Sequence, residues 1–305
     1  MGKILVVGSS NTDLITSVKN FPSAGETIVG KSFLQAMGGK GANQAVAAHK
    51  LGGQVKFITC LGKDANGQNA LNYYQGEGLD VSSSMIVDDV PSGTAIILVD
   101  EKGENCIVIT PGANNMLSPE YIFEVENQIA AADMVVLQME IPYETVKAVC
   151  DIAHKNHKKV MLNVAPARQL DADLIKKIDI LVVNETEAET ISGEKIEDSG
   201  VEAVVDSLLA MGAGTVVLTL GKKGCLFKNQ HETFHIPAFK VEALDSTAAG
   251  DTFCGALSAE LSKGRVCQEA LRFATAAAAI CVTRMGAQPS IPTEKEVREF
   301  LTNHM

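Results

Sequence analysis

The chain contains no tryptophan, and aromatic residues make up only 5% of its 305 positions. Binding a nucleoside needs stacking surface for its base, so this poverty weighs lightly against a nucleoside ligand. Basic residues are scarce too: 26 Lys and Arg face 37 Asp and Glu, a formal net charge of −11, with a pI near 5.1. Phosphate backbones are bound by clustered Lys and Arg, so nucleic acid is excluded as a partner and any anionic nucleotide must be held locally. There is no long apolar run and no cleavage-site pattern, and Met1-Gly2 is followed at position 6 by Val rather than Ser or Thr, which excludes myristoylation. The seven cysteines are odd in number, scattered and without a Cys-x-x-Cys pair, the pattern of reduced, mostly buried thiols. The expectation is a soluble cytoplasmic protein with no membrane partner. Two nucleotide-binding signatures are also missing, Gly-x-x-x-x-Gly-Lys-Ser/Thr and a Gly-x-Gly-x-x-Gly that follows a strand.

With 46% hydrophobic and 21% charged residues, 26 glycines and 9 prolines, the composition is that of a globular enzyme. Its length accommodates one large α/β domain or two smaller ones. Lys3–Gly8 reads as a buried strand, and from about residue 118 helix patterns separate strands at 134–138, 160–163 and 180–183. That alternation predicts a mostly parallel sheet covered by helices on both faces. Two stretches break the rhythm: a β-rich segment over about 14–37, and a hairpin of strands 94–99 and 105–110 around Asp100-Glu101-Lys102-Gly103-Glu104. They predict a small second sheet acting as a lid.

The candidate chemistry is centred on Glu242–Leu257. An extended run ends at Asp245, small residues turn through Ser246, Thr247, Ala248, Ala249 and Gly250, and Asp251 opens an apolar helix. A helix start preceded by small residues exposes unpaired N–H groups at the positive end of the dipole, an anion site. Asp251 is then either the base that takes a proton from an attacking hydroxyl or an ordinary N-cap. Asn11 and Asp13, on alternate positions after the first strand, suit a polyol or mark a polar strand exit. Gly38-Gly39-Lys40-Gly41-Ala42-Asn43 opens a helix with glycines that permit close backbone approach, and Lys40 is either a phosphate ligand or a solvated lysine. Strand ends carry Gln138, Glu140, Asn163 and Asn184, and Glu140 is a candidate for a sugar hydroxyl. Asn184-Glu185-Thr186-Glu187 also reads as a capping sequence, and Leu220-Gly221-Lys222-Lys223-Gly224 as either a phosphate-facing turn or a solvated hairpin turn.

The order and spacing of Gly8–Asp13, Gly38–Asn43, Gln138–Glu140, Asn184–Glu187, Thr219–Gly224, Ala248–Phe253 and Arg284–Ser290 resemble those of the ribokinase-like (phosphofructokinase B type) carbohydrate kinase family over essentially the whole chain. The resemblance implies a single domain, residues 1–305, with a three-layer α/β/α sandwich and a β-sheet lid from about 14–37 and 93–110. It implies ATP-dependent phosphorylation of the primary 5-hydroxyl of D-ribose, with Asn11, Asp13, Gly39, Lys40, Gly41, Asn43 and Glu140 binding the sugar and Asp251 as general base. Ala248, Ala249, Gly250 and Asp251 would form the anion hole. Asn184, Thr219, Leu220, Gly221, Lys222, Lys223, Gly224, Gly250 and Thr275 would bind ATP, with Glu187 acting through the Mg2+ shell. Asp245, Thr247, Cys281, Arg284, Gly286 and Ser290 would hold K+, mostly through backbone carbonyls. A homodimer paired through the lids is implied as well. The alternatives are a kinase of 2-deoxyribose, fructose or adenosine, and a non-catalytic sugar-binding regulator. Asn11 and Asp13 favour ribose, because a site built to bond a hydroxyl penalises analogues that lack it.

Overall fold

Runs such as Ile4-Leu5-Val6-Val7 and Leu181-Val182-Val183 are apolar on successive residues, which a strand tolerates only when both of its faces are covered. The computed structural model, which describes residues 2–304, shows that covering. In chain order the strands are β1 (Lys3–Val7), β2 (Asn11–Ser17), β3 (Ser32–Gly38), β4 (Gln54–Ile58), β5 (Cys60–Gly62), β6 (Met85–Val87) and β7 (Gly93–Val99). There follow β8 (Asn105–Thr110), β9 (Met134–Leu137), β10 (Lys159–Asn163), β11 (Ile180–Asn184), β12 (Thr215–Thr219), β13 (Cys225–Asn229) and β14 (Thr233–Ile236). The helices are α1 (Lys40–Lys50), α2 (Ala65–Gly76), α3 (Pro119–Glu124), α4 (Glu126–Ala131), α5 (Tyr143–Lys155) and α6 (Ala172–Ile175). The remainder are α7 (Glu185–Ser192), α8 (Ile196–Ser199), α9 (Val201–Ala210), α10 (Ala249–Ser262), α11 (Cys267–Cys281) and α12 (Glu294–Asn303).

The main sheet has eight strands in the order β14-β13-β12-β11-β10-β9-β1-β4. It is parallel from β4 to β12 and ends in two antiparallel pairs, β12–β13 and β13–β14. Alternate strand residues feed two cores. Leu5, Val7, Val135 and Leu162 pack with α3, α4, α5, α7 and α9, while Ile4, Val6, Val136 and Met161 pack with α1, α2, α10, α11 and α12. This is the expected three-layer sandwich. Because β1 lies between β4 and β9, the chain order reverses there, and the crevice beyond the carboxyl ends of β1 and β9 is the topological switch point where such sheets bind ligands.

The second sheet has the order β3-β2-β7-β8, as the broken rhythm of the sequence predicted. Its exposed apolar residues lie on both faces: Leu34, Ile107 and Ile109 on the Asp13 side, Phe33, Ile96 and Val108 on the other. All seven thiols are free, Cys106 exposed, Cys267 half-buried and the rest buried. Among the described residues no helix is long and apolar enough to cross a membrane. The run that ends at Asp245 belongs to no strand. The chain leaves the sheet at Ile236 and runs irregularly to the end of α11, where the Leu244 and Asp245 N–H groups both donate to the Val282 carbonyl, at 2.7 and 3.2 Å.

The two helices that frame the switch point, α1 and α10, approach closely because Gly255 has no side chain. A Cβ there would lie 2.5 Å from Ala47 Cβ and 2.8 Å from the Gln44 carbonyl oxygen. At its far end α10 is tied down by Glu260, a buried carboxylate that accepts from Arg298 at 2.7 and 2.8 Å and from Lys263 at 3.0 Å; Lys263 also donates to the Leu51 carbonyl at 2.9 Å. The backbone on one side of this contact has no room to yield, so Gly255→Ala is expected to lower stability by about 1–3 kcal/mol, read as a lower urea midpoint with unchanged slope.

Candidate active site

Between the two sheets the chain runs directly from β1 through Gly8-Ser9-Ser10 into β2. The N-terminus of α1 rests on this link. Its N-cap, Gly39, has φ 89° and supplies no side-chain cap, so the cap comes from elsewhere in the chain. Glu140 Oε2 accepts from Lys40 N at 3.0 Å and from Ser9 Oγ at 2.6 Å, and Ser9 Oγ accepts from Gly41 N at 3.2 Å. The glycines of this turn make room for protein. A Cβ on Gly41 would lie 2.5 Å from the Gly8 carbonyl carbon and 2.7 Å from its Cα, and one on Gly38 would overlap the Asp13 carboxylate.

Asn11 and Asp13 are buried at the start of β2 and point to the same side. Asn11 Oδ1 accepts from Asn114 Nδ2 at 2.8 Å, and Asn114 also bonds both backbone groups of Ser10, its Oδ1 accepting from Ser10 N at 2.9 Å. Burial, and then the charges of Glu140 and Asp251, push the Asp13 carboxyl up to about 7.

Asp251 is not a helix cap. α10 begins two residues earlier, with Ala248 as N-cap in the left-handed region at φ 57°, a conformation that costs a non-glycine residue about 1–2 kcal/mol. Asp251 is therefore the third helical residue, and its buried carboxylate turns away from its own helix. Oδ2 accepts from Asn43 Nδ2 at 2.9 Å and Oδ1 from Gln44 Nε2 at 3.0 Å. The Gly250 and Asp251 N–H groups form no hydrogen bond with the described residues. Open space surrounds Gly250. The expected anion site thus has its free donors, at the positive end of a helix of 14 residues.

A cavity of about 220 Å³ opens onto these donors, walled by Lys40, Asn163, Asn184, Glu187, Thr219, Ser246, Ala248 to Asp251 and Cys254. Lys40 is no solvated surface lysine. Burial alone would lower its pKa, but the Asp251, Glu140 and Glu187 carboxylates prevail and hold it above the ordinary value, so it stays charged. Burial raises the Glu187 carboxyl while the Asn184 N–H and then Lys40 oppose the rise. Cys254, its thiol pushed well up by burial and then by Asp251 and Glu187, is a neutral wall. The capping reading of Asn184-Glu185-Thr186-Glu187 holds: Asn184 Oδ1 accepts from Glu187 N at 2.8 Å, and Glu187 Oε2 accepts from Asn184 N at 2.8 Å. Glu187 nonetheless faces the cavity as well.

The other expected nucleotide residues lie outside that cavity. Gly221, Lys222 and Lys223 form an exposed 3-10 turn between β12 and β13, flanked by Leu220 and Gly224. The Thr275 hydroxyl donates back to the Leu271 carbonyl at 2.8 Å and lies 3.9 Å from Cys225 Sγ. The expected cation residues do converge. Asp245 Oδ1 accepts from the Thr247 N–H and hydroxyl at 2.8 and 2.6 Å, Oδ2 accepts from Gly286 N at 2.8 Å, and Cys281 Sγ lies 3.0 Å from Ser290 Oγ. The Arg284 side chain turns away to Glu296, at 2.6 Å.

Sequence reasoning missed Gln44, Ser9 and Asn114. Gln44 carried a signal, a polar residue within the small apolar run of α1, next to Asn43. Asn114 carried none, being separated from Asn11 by 103 positions.

The Asp13 shift has a measurable consequence. Its ordinary value is 3.8 and its folded value about 7, so the folded chain holds this proton more tightly than the unfolded one. That contribution is complete below about pH 4 and is lost as pH rises through about 7. Asp13→Asn, which keeps the site uncharged, is expected to raise the thermal midpoint of the ligand-free protein relative to wild type at about pH 8 and to leave little difference at about pH 4.

The pattern of the pfkB carbohydrate kinases matches residues 1–294. Ribokinase from Haemophilus influenzae is 43% identical over 299 residues, 98% of each chain, and deoxyribokinase from Salmonella typhi is 36% identical over 301 residues, also 98% of each. The structure of Arabidopsis thaliana ribokinase complexed with ribose and ATP superposes with a TM-score of 0.92 at 33% identity, covering 98% of both chains. The chain belongs to the pfkB family of carbohydrate kinases.

Proposed function

We propose that this kinase is a ribokinase, transferring the γ-phosphoryl group of ATP to the primary 5-hydroxyl of D-ribose to give ribose 5-phosphate and ADP. The carrying observation is the Asp251 carboxylate, oriented by two amide donors within one turn of the free N–H groups that open α10. Asp251 takes the hydroxyl proton, the sugar oxygen forms its bond to the γ-phosphorus, and the bond to the bridging oxygen breaks, its electrons leaving with ADP. The Gly250 and Asp251 amides, with Ala248 and Ala249 shaping the turn, stabilise charge on the moving group. Asn11, Asp13, Lys40 and the buried, unpartnered Asn43 Oδ1 hold the sugar hydroxyls. Glu140 and the glycines at 39 and 41 support them by fixing the turn.

Lys40, which also lines the cavity at the start of α10, stands at the border of the sugar and nucleotide subsites. ATP lies over Asn184, Thr219 and the 220–224 turn, towards Thr275. Glu187, a carboxylate on the cavity wall, would hold the water shell of a bound Mg2+, which would supply neutralisation of the nucleotide's negative charge. The convergence of Asp245, Thr247, Gly286 and Ser290 offers oxygen donors suited to K+. The whole chain acts as one catalytic domain, and the four-stranded sheet serves as its lid.

A lid with exposed apolar side chains on both faces fits pairing with a second copy, which would cover edges otherwise open to association. Val108→Glu is therefore expected to shift the protein from dimer to monomer in light scattering; an unchanged mass would remove the lid from the interface. The similarity to a deoxyribokinase makes 2-deoxyribose the acceptor to test against ribose. In an ADP-release assay with MgATP, ribose should exceed 2-deoxyribose, fructose and adenosine, and replacing K+ by choline should lower the rate. Asp251→Asn should cut turnover by about 10²–10⁴-fold while ribose still raises the thermal midpoint. Turnover surviving in that variant would assign the base elsewhere, and preference for 2-deoxyribose would overturn the choice of sugar.

A further inference from the structure

Gln44 belongs to neither the expected sugar site nor the expected nucleotide site, yet it is wholly buried behind the base and every polar atom of its side chain is engaged. Its Nε2 donates to Asp251 Oδ1 at 3.0 Å and to Asn163 Oδ1 at 3.1 Å, and its Oε1 accepts from Gln138 Nε2 at 2.8 Å. The direction of these bonds is dictated by the sheet. Asn163 Nδ2 donates to the Val182 backbone carbonyl at 3.2 Å, which turns Asn163 Oδ1 towards Gln44. Gln44 must then offer its NH2 at that end, and the same NH2 reaches Asp251. The opposite orientation would set its carbonyl oxygen against two acceptors and its NH2 against the Gln138 NH2. A fixed carbonyl of β11 thus determines the orientation of the carboxylate through two side-chain amides.

We infer that Gln44 is a positioning residue for phosphoryl transfer, holding Asp251 in the plane from which its free lone pairs meet the acceptor hydroxyl, with Gln138 and Asn163 as its anchors. Asn43 alone bonds only one carboxylate oxygen; the second donor, on Oδ1, fixes the rotation of the group about Cβ–Cγ. The inference rests on Asp251 being the base, and it adds a residue that touches neither sugar nor nucleotide. The loss of geometry, not of substrate contact, is what its removal costs, and small misplacements of a catalytic group cost up to about 100-fold.

The test is a double-mutant cycle with Gln44→Met and Asp251→Asn, following kcat and KM for ribose. Gln44→Met is expected to lower kcat by about 10- to 100-fold and to leave KM within about threefold. In the Asp251→Asn background it should lower the residual rate no further, because its effect is exerted through that carboxylate. Full kcat in Gln44→Met, a rise in KM with kcat intact, or an equal loss in both backgrounds would each overturn the inference. An active Asp251→Asn would instead overturn the assignment of the base, so the two failures are distinguishable. Should Gln44→Met not fold, Gln138→Met, which leaves Gln44 in place without the donor to its Oε1, decides: a smaller loss of kcat, again absent in the Asp251→Asn background, is expected, and no loss overturns the inference.

Discussion

The docking of α10 against the first turns of α1 is the contact on which the rest of the site depends. It brings the side chains of Asn43 and Gln44 onto Asp251, although more than 200 positions separate them. The approach is permitted by small residues, Gly255 on one helix against Ala47 and Ala48 on the other. It is held at the far end by the Glu260, Arg298 and Lys263 network, which fixes α10 against α12 and the end of α1. A buried carboxylate such as Glu260 is costly to desolvate and is retained only with full hydrogen bonding, as here. Its place at the rear of the helix whose front carries Asp251 makes it part of the alignment.

The site is also an electrostatic compromise. Glu140, Glu187 and Asp251 gather around Lys40, and Asp13 lies near enough to Glu140 and Asp251 to feel their charge. Burial raises the carboxyls of Asp13 and Glu187, and Lys40 is held charged by its acidic neighbours. Such a cluster would repel a nucleotide if it lay open. It is tolerable because part of it is already engaged in structure: Glu140 caps α1, Glu187 caps α7, and Asp251 is held by amides. Backbone amides at the start of α10, which carry no net charge, remain free at the positive end of that helix.

Much of this was legible in the chain. Fully apolar strand runs from β1 to β12 predicted a parallel sheet covered on both faces, and the exposed hairpin at 94–110 predicted a separate sheet. Asn11, Asp13 and Asp251 stood out because short polar side chains follow apolar runs at turn positions. The start of α10 was misread because a non-glycine N-cap in the left-handed region, Ala248, has no sequence signature.

By itself, the sequence determined which residue types were available to the site and which elements carried them, since apolar periodicity, glycine and small-residue turns act over a few neighbouring positions. Tertiary structure alone decided the partners. That Glu140 caps α1, that Asn114 holds Asn11, and that Gln44 rather than the helix backbone binds Asp251 are contacts across 100 or more positions. They follow from the strand order and from the close packing of two helices, and no local pattern encodes the separation at which distant side chains meet.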